Sequence, residues 1–397
     1  RKSVMAPAIA HASTGVVLSP DQARAWLTMK AEAEGNQAKR VRPDEVVPMD
    51  ELAETLEEIA DEGSSVYYSD RIARCIIDHL RKLGGIVTLD DLAAYRALIV
   101  EPMVVEVRGH VLATPPPGAG GLTSLQMVAL FDRLVGRDPQ PPFGSSTAFE
   151  RLLEIAKVVW EERLTQFGDA AAMARPPQSF LSDDHLEELA GRIVKGLAHP
   201  SPGRIVAPDP LRGTAHLAVA DAAGNLVALT LTHGGAFGSR IMVPGTGIVL
   251  GHGMCRFDPR PGWVNSIAPG KRPLHNMSPV IAVKDGHAEL AVGASGGRTI
   301  VNNSAHVMIG RLVYGLSAVD AIAAPRLQCE TQEPAIIEST AGAECIAALR
   351  GRGHDIKETQ RDGGTPSLIV RDGEAWTGAA EPRHATAAVV AGDRLRD

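Results

Sequence analysis

The chain has 397 residues, of which 44% are hydrophobic and 22% charged, and its formal net charge is -7 at pH 7. This is an ordinary globular composition, long enough for one large domain or two smaller ones. Net negative charge without a basic tract argues against a nucleic-acid partner, because binding phosphates requires clustered Lys and Arg.

The sequence also gives no sign of a membrane segment, a disulfide framework or a metal site. No apolar run approaches the roughly 18 residues of a membrane span, and residues 1–10 lack the apolar core of a signal peptide. The four cysteines are widely separated and form no Cys-x-x-Cys pair, which predicts reduced or buried thiols. They are Cys75, Cys255, Cys329 and Cys345. The sequence leaves the localisation undetermined.

Residues 1–110 are predicted to be mostly polar and helical. Helices are expected over 49–63, with Asp50 as its cap, and over 70–85, where Cys75 falls on the apolar face. Residues 102–121 predict a strand, a turn, a second strand and a Pro-Gly loop before a helix near Leu122. That loop is either a substrate-lining segment or a plain connection from strand to helix.

Two further helices precede a linker. Residues 145–167 and 182–197 carry apolar stripes, and the large aromatic residues of the first, including Trp160, are assigned to the core. Residues 201–213 are rich in Pro and Gly and lack periodicity, which is typical of a linker.

A β-hairpin is predicted directly after the linker. Residues 215–220 and 226–232 are rich in Ala, Val, Leu and Thr, and a Gly-Asn turn separates them. The second strand is almost continuously apolar, so both of its faces are expected to be covered. Thr214 and His216 share one face by the period of two, and Thr232 ends the partner strand near them. A Thr hydroxyl becomes a good nucleophile when a base such as its own freed α-amino group stands beside it.

A second candidate site follows a strand over residues 287–297. That strand runs into Gly296 and Gly297, and a helix comes next. Glycines at this place allow backbone N–H groups to face a developing oxyanion, assisted by the positive end of the helix. The segment around these glycines has neither the glycine spacing nor the Lys of a phosphate-binding loop. Close packing of helix on strand is the alternative explanation for these two glycines.

Several stretches together resemble the γ-glutamyltranspeptidases, which are N-terminal-nucleophile hydrolases. The catalytic threonine of that family begins the small subunit after self-cleavage, in a Thr-x-His context followed by an Asp-x-x-Gly-Asn turn. Thr214, His216, Asp221, Gly224 and Asn225 match this pattern. Blocks that agree in the family's order lie at 84–97, 108–121, 270–279, 293–298, 314–326 and 378–383.

The resemblance implies a four-layer αββα fold of the mixed α/β (α+β) class and a set of residue roles. Residues 1–213 would form the large-subunit part, and residues 214–397 the small subunit that begins with the nucleophile Thr214, the two together making one domain. Thr232 would orient Thr214, and Gly296 with Gly297 would form the oxyanion hole. Nothing before residue 84 resembles the family's opening segment, so an N-terminal part is expected to be missing.

Departures from the family pattern bear on the substrate. Beyond the second threonine the family carries an Asn, where this chain has His233 and Gly234. Arg256 replaces the aspartate of the pair that holds the substrate amine, and His275 with Asn276 replaces the Ser-Ser pair that holds the carboxylate. An ammonium group facing Arg256 would be repelled. The alternative for Arg256 is a structural arginine paired with Asp258 or another nearby acid.

The sequence therefore predicts a self-processing amidohydrolase that needs neither metal nor organic cofactor. Its substrate would be a small-molecule N-acyl or γ-glutamyl-like amide, and both subunits would come from one precursor, with higher oligomers left open. A true γ-glutamyltransferase or glutathione hydrolase is the alternative. A non-catalytic relative that keeps the fold as a binding module is less favoured, because both threonines and both glycines are retained.

Overall fold

A computed structural model of the chain describes residues 1–18, 45–136, 140–196, 213–361 and 363–383, with Pro20, Gln22, Ala23, Trp26 and Leu27. The described residues form two compact units. The first contains residues 1–99 and 233–252, and the second contains 100–232 and 253–397. Of the predicted linker, only Gly213 lies within the described residues.

The first unit is largely helical. Among its described residues, helices span Lys2–Thr14, Asp50–Glu62, Ser65–Tyr68, Arg71–Lys82 and Leu89–Ala94. Two short antiparallel pairs are also described, β1 (Val16–Val17) with β2 (Val46–Val47) and β7 (Met242–Val243) with β8 (Ile248–Val249). The two helices predicted here are confirmed. Cys75 lies on the second of them, Arg71–Lys82, and packs against a cluster of buried apolar side chains, as expected. Asp50 is the first helical residue, and Met49 occupies the cap position, so the predicted cap was wrong by one residue.

The second unit is built on a six-stranded sheet. Its strands are β3 (Met103–Val107), β4 (His110–Thr114), β9 (Val280–Lys284), β10 (His287–Ser295), β14 (Thr365–Asp372) and β15 (Ala375–Ala380). Neighbouring strands are all antiparallel, in the order β15-β14-β10-β9-β4-β3. Residues 290–294 of the central strand β10 are all buried. This continuous burial is expected of a strand covered on both faces.

Helices pack on one face of this sheet. Thr299–Met308 lies on β10, and Gly121–Val135 lies on β3, with all of its residues buried except Asp132 and Arg133. The remaining helices are Ser146–Gln166, Asp183–Val194, Ala318–Ala323 and Ala343–Gly351, and a smaller sheet contains β11 (Leu327–Gln328), β12 (Ala335–Glu338) and β13 (Ile356–Thr359). Among the described residues, no helix combines the length and apolar character that crossing a bilayer requires.

The predicted hairpin packs on the other side of the six-stranded sheet. Strands β5 (Thr214–Ala220) and β6 (Leu226–Thr232) pair antiparallel and contact β10. The outward face of the hairpin is half exposed, contrary to the expectation that both faces are covered. Its large apolar residues, Leu217, Val219, Val227, Leu229 and Leu231, are 46–56% exposed. Only alternate residues of a strand can face one neighbouring layer, so an apolar run does not by itself create a second layer.

Helices, a large sheet and a hairpin thus form three successive layers among the described residues of the second unit. The predicted mixture of helix and sheet is confirmed. A helical layer over the outward face of the hairpin is not seen in the described part of the chain. All four cysteines are free thiols, of which Cys329 is buried and Cys255 exposed.

Candidate active site

Two threonines face each other at the end of the hairpin. Register places Thr214 directly opposite Thr232, and their Oγ1 atoms are 2.8 Å apart. Thr232 Oγ1 also donates to the carbonyl oxygen of Gly213 at 3.2 Å. A hydroxyl has one proton, so Thr232 accepts from Thr214 while it donates to Gly213. The nucleophile candidate, its hydroxyl partner and the carbonyl that precedes it thus form one hydrogen-bonded chain.

His216 fixes the hairpin against the large sheet. Its Nδ1 is 2.7 Å from Thr230 Oγ1, and its ring lies directly on Gly293 of β10, where an added Cβ would come within 2.3 Å of the ring carbon Cε1. Burial lowers the pKa of His216 to about 4, so the ring is neutral near pH 7. Because His216 is two residues from Thr214, this contact positions Thr214 relative to β10.

The turn after β10 has a backbone conformation that favours glycine. Gly296 and Gly297 have φ values of +133° and +66°, a region that residues with side chains rarely adopt. None of the hydrogen bonds between described residues uses the N–H of Gly296 or Gly297. Close packing also explains a glycine at residue 296, since an added Cβ would lie 2.9 Å from the Cα of Gly364. Both explanations for the glycines therefore have structural support at Gly296.

His275 and Asn276 lie beside a buried arginine. Arg163, from the helix Ser146–Gln166, is 1% exposed. One of its NH2 groups donates to the carbonyl oxygen of His275 at 2.7 Å and to Asn276 Oδ1 at 3.0 Å. Burial, and then the charges of Arg163 and Arg256, lower the pKa of His275 to about 4. The imidazole of His275 is therefore neutral near pH 7, and the guanidinium group of Arg163 lies against the same segment.

The Pro-Gly loop runs alongside the same segment. Gly118 accepts a hydrogen bond from the backbone N–H of His275 at 2.7 Å, and Gly120 donates to the carbonyl oxygen of Met277 at 2.7 Å. A Cβ on Gly120 would lie 2.6 Å from the carbonyl oxygen of Asn276. The loop thus supports the 275–277 segment through its backbone, and its glycines permit the close approach.

Arg256 ends a short 3₁₀ turn, Gly253–Arg256, and is partly exposed. Asn265 joins this turn to the segment before His275, because its Nδ2 donates to the carbonyl oxygen of Arg256 at 2.7 Å and its Oδ1 accepts from the backbone N–H of Leu274 at 2.9 Å. Asp258, the partner suggested for a structural Arg256, is bound through both carboxylate oxygens by Arg260, at 3.1 and 2.9 Å.

His233 follows β6 directly and belongs to the first unit. There it is exposed and helps to line a cavity of about 520 Å³, whose other walls include Trp26, Phe237 and Leu52. Within the second unit, the structure thus brings Thr214 together with Thr232. It brings His275 and Asn276 together with Arg163, while Arg256 is linked to the preceding segment through Asn265.

One group of three described side chains has the spacing of a metal site. Ligand atoms of Glu154, Glu333 and His354 lie within 4.8 Å of one another. Lys157 is 2.6 Å from Glu154 and 3.3 Å from Glu333, so an ammonium group already neutralises these carboxylates. The cluster is an ion-pair network joining the helix Ser146–Gln166 to the segments before β12 and β13.

Sequence reasoning missed three residues that support the site. Trp160 was assigned only to the core, yet the guanidinium groups of Arg163 and Arg298 lie 5.4 and 5.2 Å from its ring centroid. Arg298, which follows Gly297, binds Glu330 through two hydrogen bonds. The available signal was an arginine four residues after Val159, on the apolar stripe of a helix.

Comparison with known proteins gives a consistent picture. The family model described as gamma-glutamyltranspeptidase matches residues 2–391. The chain is 32% identical over 349 residues to the glutathione hydrolase proenzyme of Escherichia coli K12, covering 84% of this chain and 60% of that protein. It is 31% identical to the acylase ACY 1 proenzyme of Pseudomonas sp. strain SE83, covering 86% of this chain and 61% of that protein.

A solved structure agrees with the fold. The crystal structure of cephalosporin acylase from Bacillus halodurans superposes with a TM-score of 0.83 at 26% identity, covering 95% of this chain and 72% of that one. The chain therefore has the N-terminal-nucleophile hydrolase fold, and it spans about 60% of the length of the curated relatives it matches.

Proposed function

Since the chain belongs to the γ-glutamyltranspeptidase family, we propose that it is a self-processing amidohydrolase that cleaves an N-acyl amide through an acyl-enzyme on Thr214. Cleavage between Gly213 and Thr214 would yield a large part ending at residue 213 and a small part over 214–397. The two parts would remain together and act on a small-molecule amide. The observation that carries the proposal is the hydrogen-bonded chain from Thr214 through Thr232 to the carbonyl oxygen of Gly213.

This geometry supports self-cleavage. Thr214 Oγ1 attacks the carbonyl carbon of Gly213, and Thr232 accepts the proton of the attacking hydroxyl as it passes its own proton to the carbonyl oxygen. Collapse of the tetrahedral intermediate breaks the C–N bond, transfers that proton to the nitrogen of Thr214 and leaves an ester on Oγ1. Water then hydrolyses the ester, giving a carboxylate on Gly213 and a free α-amine on Thr214.

Catalysis reuses the same atoms. The freed α-amine takes the proton from Thr214 Oγ1, which attacks the substrate amide, and the proton is passed to the departing amine. The N–H groups of Gly296 and Gly297 stabilise the oxyanion, and Thr232 orients the nucleophile. Attack by water on the ester releases the acid, and attack by a second amine gives transfer.

We further propose that the acyl group carries a carboxylate and no ammonium group. Arg256, His275 and Asn276 would contact it, and His233 is the fourth proposed substrate contact. The support is the buried guanidinium group of Arg163, which lies against His275 and Asn276. The charges of Arg163 and Arg256 act after burial in lowering the pKa of His275. An ammonium group would be repelled there, whereas a carboxylate is attracted.

The alternative is hydrolysis or transfer of a γ-glutamyl group held by other residues. Relatives named glutathione hydrolase favour it, and relatives named acylase favour the main proposal. A panel of N-acyl anilides with and without an α-amino group decides between them. Cleavage of γ-glutamyl anilide in preference to glutaryl anilide would support the alternative. An intact chain that cleaves no amide would support a binding module.

A further inference from the structure

We infer that Arg163 is a positioning residue of the acyl site, which holds the side-chain amide of Asn276 so that its NH2 group is available to donate hydrogen bonds to the acyl carboxylate. The inference rests on the proposed function, because it concerns how the same site selects its acyl group. Arg163 itself is buried under the 275–276 segment and would not touch the substrate.

The orientation of Asn276 follows from the chemistry of its partner. The oxygen and nitrogen of a side-chain amide are normally hard to distinguish, and they are assigned from the hydrogen bonds they make. A guanidinium group has only donors, so the atom of Asn276 that lies 3.0 Å from Arg163 must be the acceptor Oδ1. Nδ2 then points away from Arg163 with two N–H donors. A residue that could have presented either atom is thereby fixed as a donor.

The surroundings suit an anion. Two guanidinium groups, from Arg163 and Arg256, contribute positive charge at His275. The imidazole is neutral there, and its Nδ1 has no hydrogen-bond partner among the described residues. A neutral imidazole has one N–H that it can donate. Together these groups offer donors and positive potential, as a carboxylate requires.

Arg163 also contacts an aromatic ring. The guanidinium groups of Arg163 and Arg298 both lie over the ring of Trp160, and Trp160 Nε1 donates to Asn302 Oδ1 at 2.7 Å. Arg298 is anchored by Glu330. Contact of a guanidinium with an aromatic face is favourable and restricts its position. Trp160 therefore contacts both Arg163, which binds the 275–276 segment, and Arg298, which follows the Gly296–Gly297 turn.

The experiment compares glutaryl anilide with pentanoyl anilide, which has the same chain length without the carboxylate. Arg163→Met should raise KM for glutaryl anilide about tenfold or more, the loss expected for hydrogen bonds to a charged group. KM for pentanoyl anilide should stay within about twofold, and Arg163→Lys should restore part of the difference. Arg192→Met, which removes an arginine from the neighbouring helix where it pairs with Glu161, is the matched control and should change neither.

Asn276→Asp is the second variant, because Arg163 would pair with the new carboxylate and the fold should be retained. It replaces the donor by an anion, so glutaryl anilide should lose its advantage over pentanoyl anilide. Thermal unfolding of each variant reports whether the fold is kept. If Arg163→Met and Asn276→Asp lower kcat/KM equally for both anilides while Arg192→Met does not, Arg163 is only structural and the inference is wrong.

Equilibrium binding separates this inference from the proposed function. Glutarate should bind to wild type more tightly than pentanoate, and the preference should vanish in Arg163→Met and Asn276→Asp. Binding that is equal for both acids in wild type would overturn the inference even if amides are cleaved. A glutarate preference that disappears in both variants would support it even if no amide is cleaved, in which case the proposed amidohydrolase activity fails on its own.

Discussion

Thr214 Oγ1 and Thr232 Oγ1 are 2.8 Å apart because the hairpin register pairs residue 214 with residue 232. The last residue of one strand thus faces the first residue of the other. Side chains of a directly opposed pair lie on the same face of the sheet, which is how two residues 18 positions apart come into hydrogen-bond contact.

Self-cleavage is expected from this contact and from the adjoining carbonyl oxygen of Gly213. Purified wild-type protein should show two fragments under denaturing conditions, and the new N-terminus should read Thr-Ala-His-Leu-Ala-Val. Thr214→Ala should remain intact and inactive, because it lacks the attacking oxygen. Thr147→Ala, at a distant helical threonine, should be cleaved like wild type. Mass spectrometry makes the measurement, and an uncut wild type that is still active would rule out this processing mechanism.

Replacing Gly297 by Val should reduce turnover on the order of a hundredfold, the effect of losing one oxyanion donor. Valine strongly disfavours a φ of +66°, so the N–H of residue 297 should turn away from the oxyanion. Gly286→Val is the matched control, because Gly286 has a φ of +79° and nothing lies near its added Cβ. Both variants should lose similar stability, and only Gly297→Val should lose turnover. Equal losses of turnover in the two would assign Gly297 to packing alone.

Arg256→Asp should abolish a preference for glutaryl over γ-glutamyl anilide. A carboxylate paired with Arg256 and partly buried contributes roughly 1.5–3 kcal/mol, which corresponds to tenfold or more in kcat/KM. Arg96→Asp removes an exposed arginine that donates to backbone carbonyls, and it should leave the preference unchanged. A wild-type preference for the γ-glutamyl compound would show that Arg256 does not contact the acyl group.

Stability should fall as the pH is lowered from about 6.5 towards 4. His216 has a pKa of about 4 in the folded protein, because burial opposes its charged form, against 6.5 for the unfolded chain. The unfolded state therefore binds the proton first as the pH falls. The contribution of the neutral ring to the free energy of unfolding, up to about 3 kcal/mol, is fully present above pH 6.5 and is lost progressively between pH 6.5 and pH 4.

His216→Gln removes this titration while keeping a group able to bond Thr230. Chemical unfolding between pH 4 and 7 should show a shallower decline for the variant than for wild type. His275 should contribute a decline of the same sign in both proteins, since its pKa is also lowered to about 4. Parallel curves for wild type and variant would contradict the assignment of a buried neutral ring to His216.

Arg326→Met should destabilise the fold by about 3–5 kcal/mol, the usual cost of breaking a buried ion pair, because Glu338 and Glu381 would be left to share Arg383. Arg326 is 2% exposed and lies 2.6 Å from Glu381, and Glu338 is bound by both Arg326 and Arg383. Arg350→Met removes an exposed pair with Glu358 and should cost less than about 1 kcal/mol. Urea unfolding compares the two, and equal losses would mean that the buried network is dispensable.

Local features of the site could be read from the sequence. The turn residues before Asn225 and the period of two placed Thr214, His216 and Thr232 on one face of a hairpin, as the structure has them. The strand, two glycines and helix around Gly296 were likewise evident, because each depends on residues near one another in the chain.

Contacts across distant segments were not accessible in this way. Arg163 contacts His275 and Asn276, which lie 112 and 113 residues away in the sequence, and no periodicity of the sequence predicts such a contact. The sequence also gave Asn276 no orientation, since an amide can donate or accept. Only the position of a buried guanidinium beside it makes Asn276 a donor.

The sequence by itself determined the hairpin and the threonine at its start, since strand periodicity and turn chemistry are local properties of the chain. The tertiary structure alone decided which face of that hairpin is covered, where the His216 ring meets Gly293, and that Arg163 lies beneath the 275–276 segment. Burial and charge depend on which distant segments pack together, and that is a property of the folded chain as a whole.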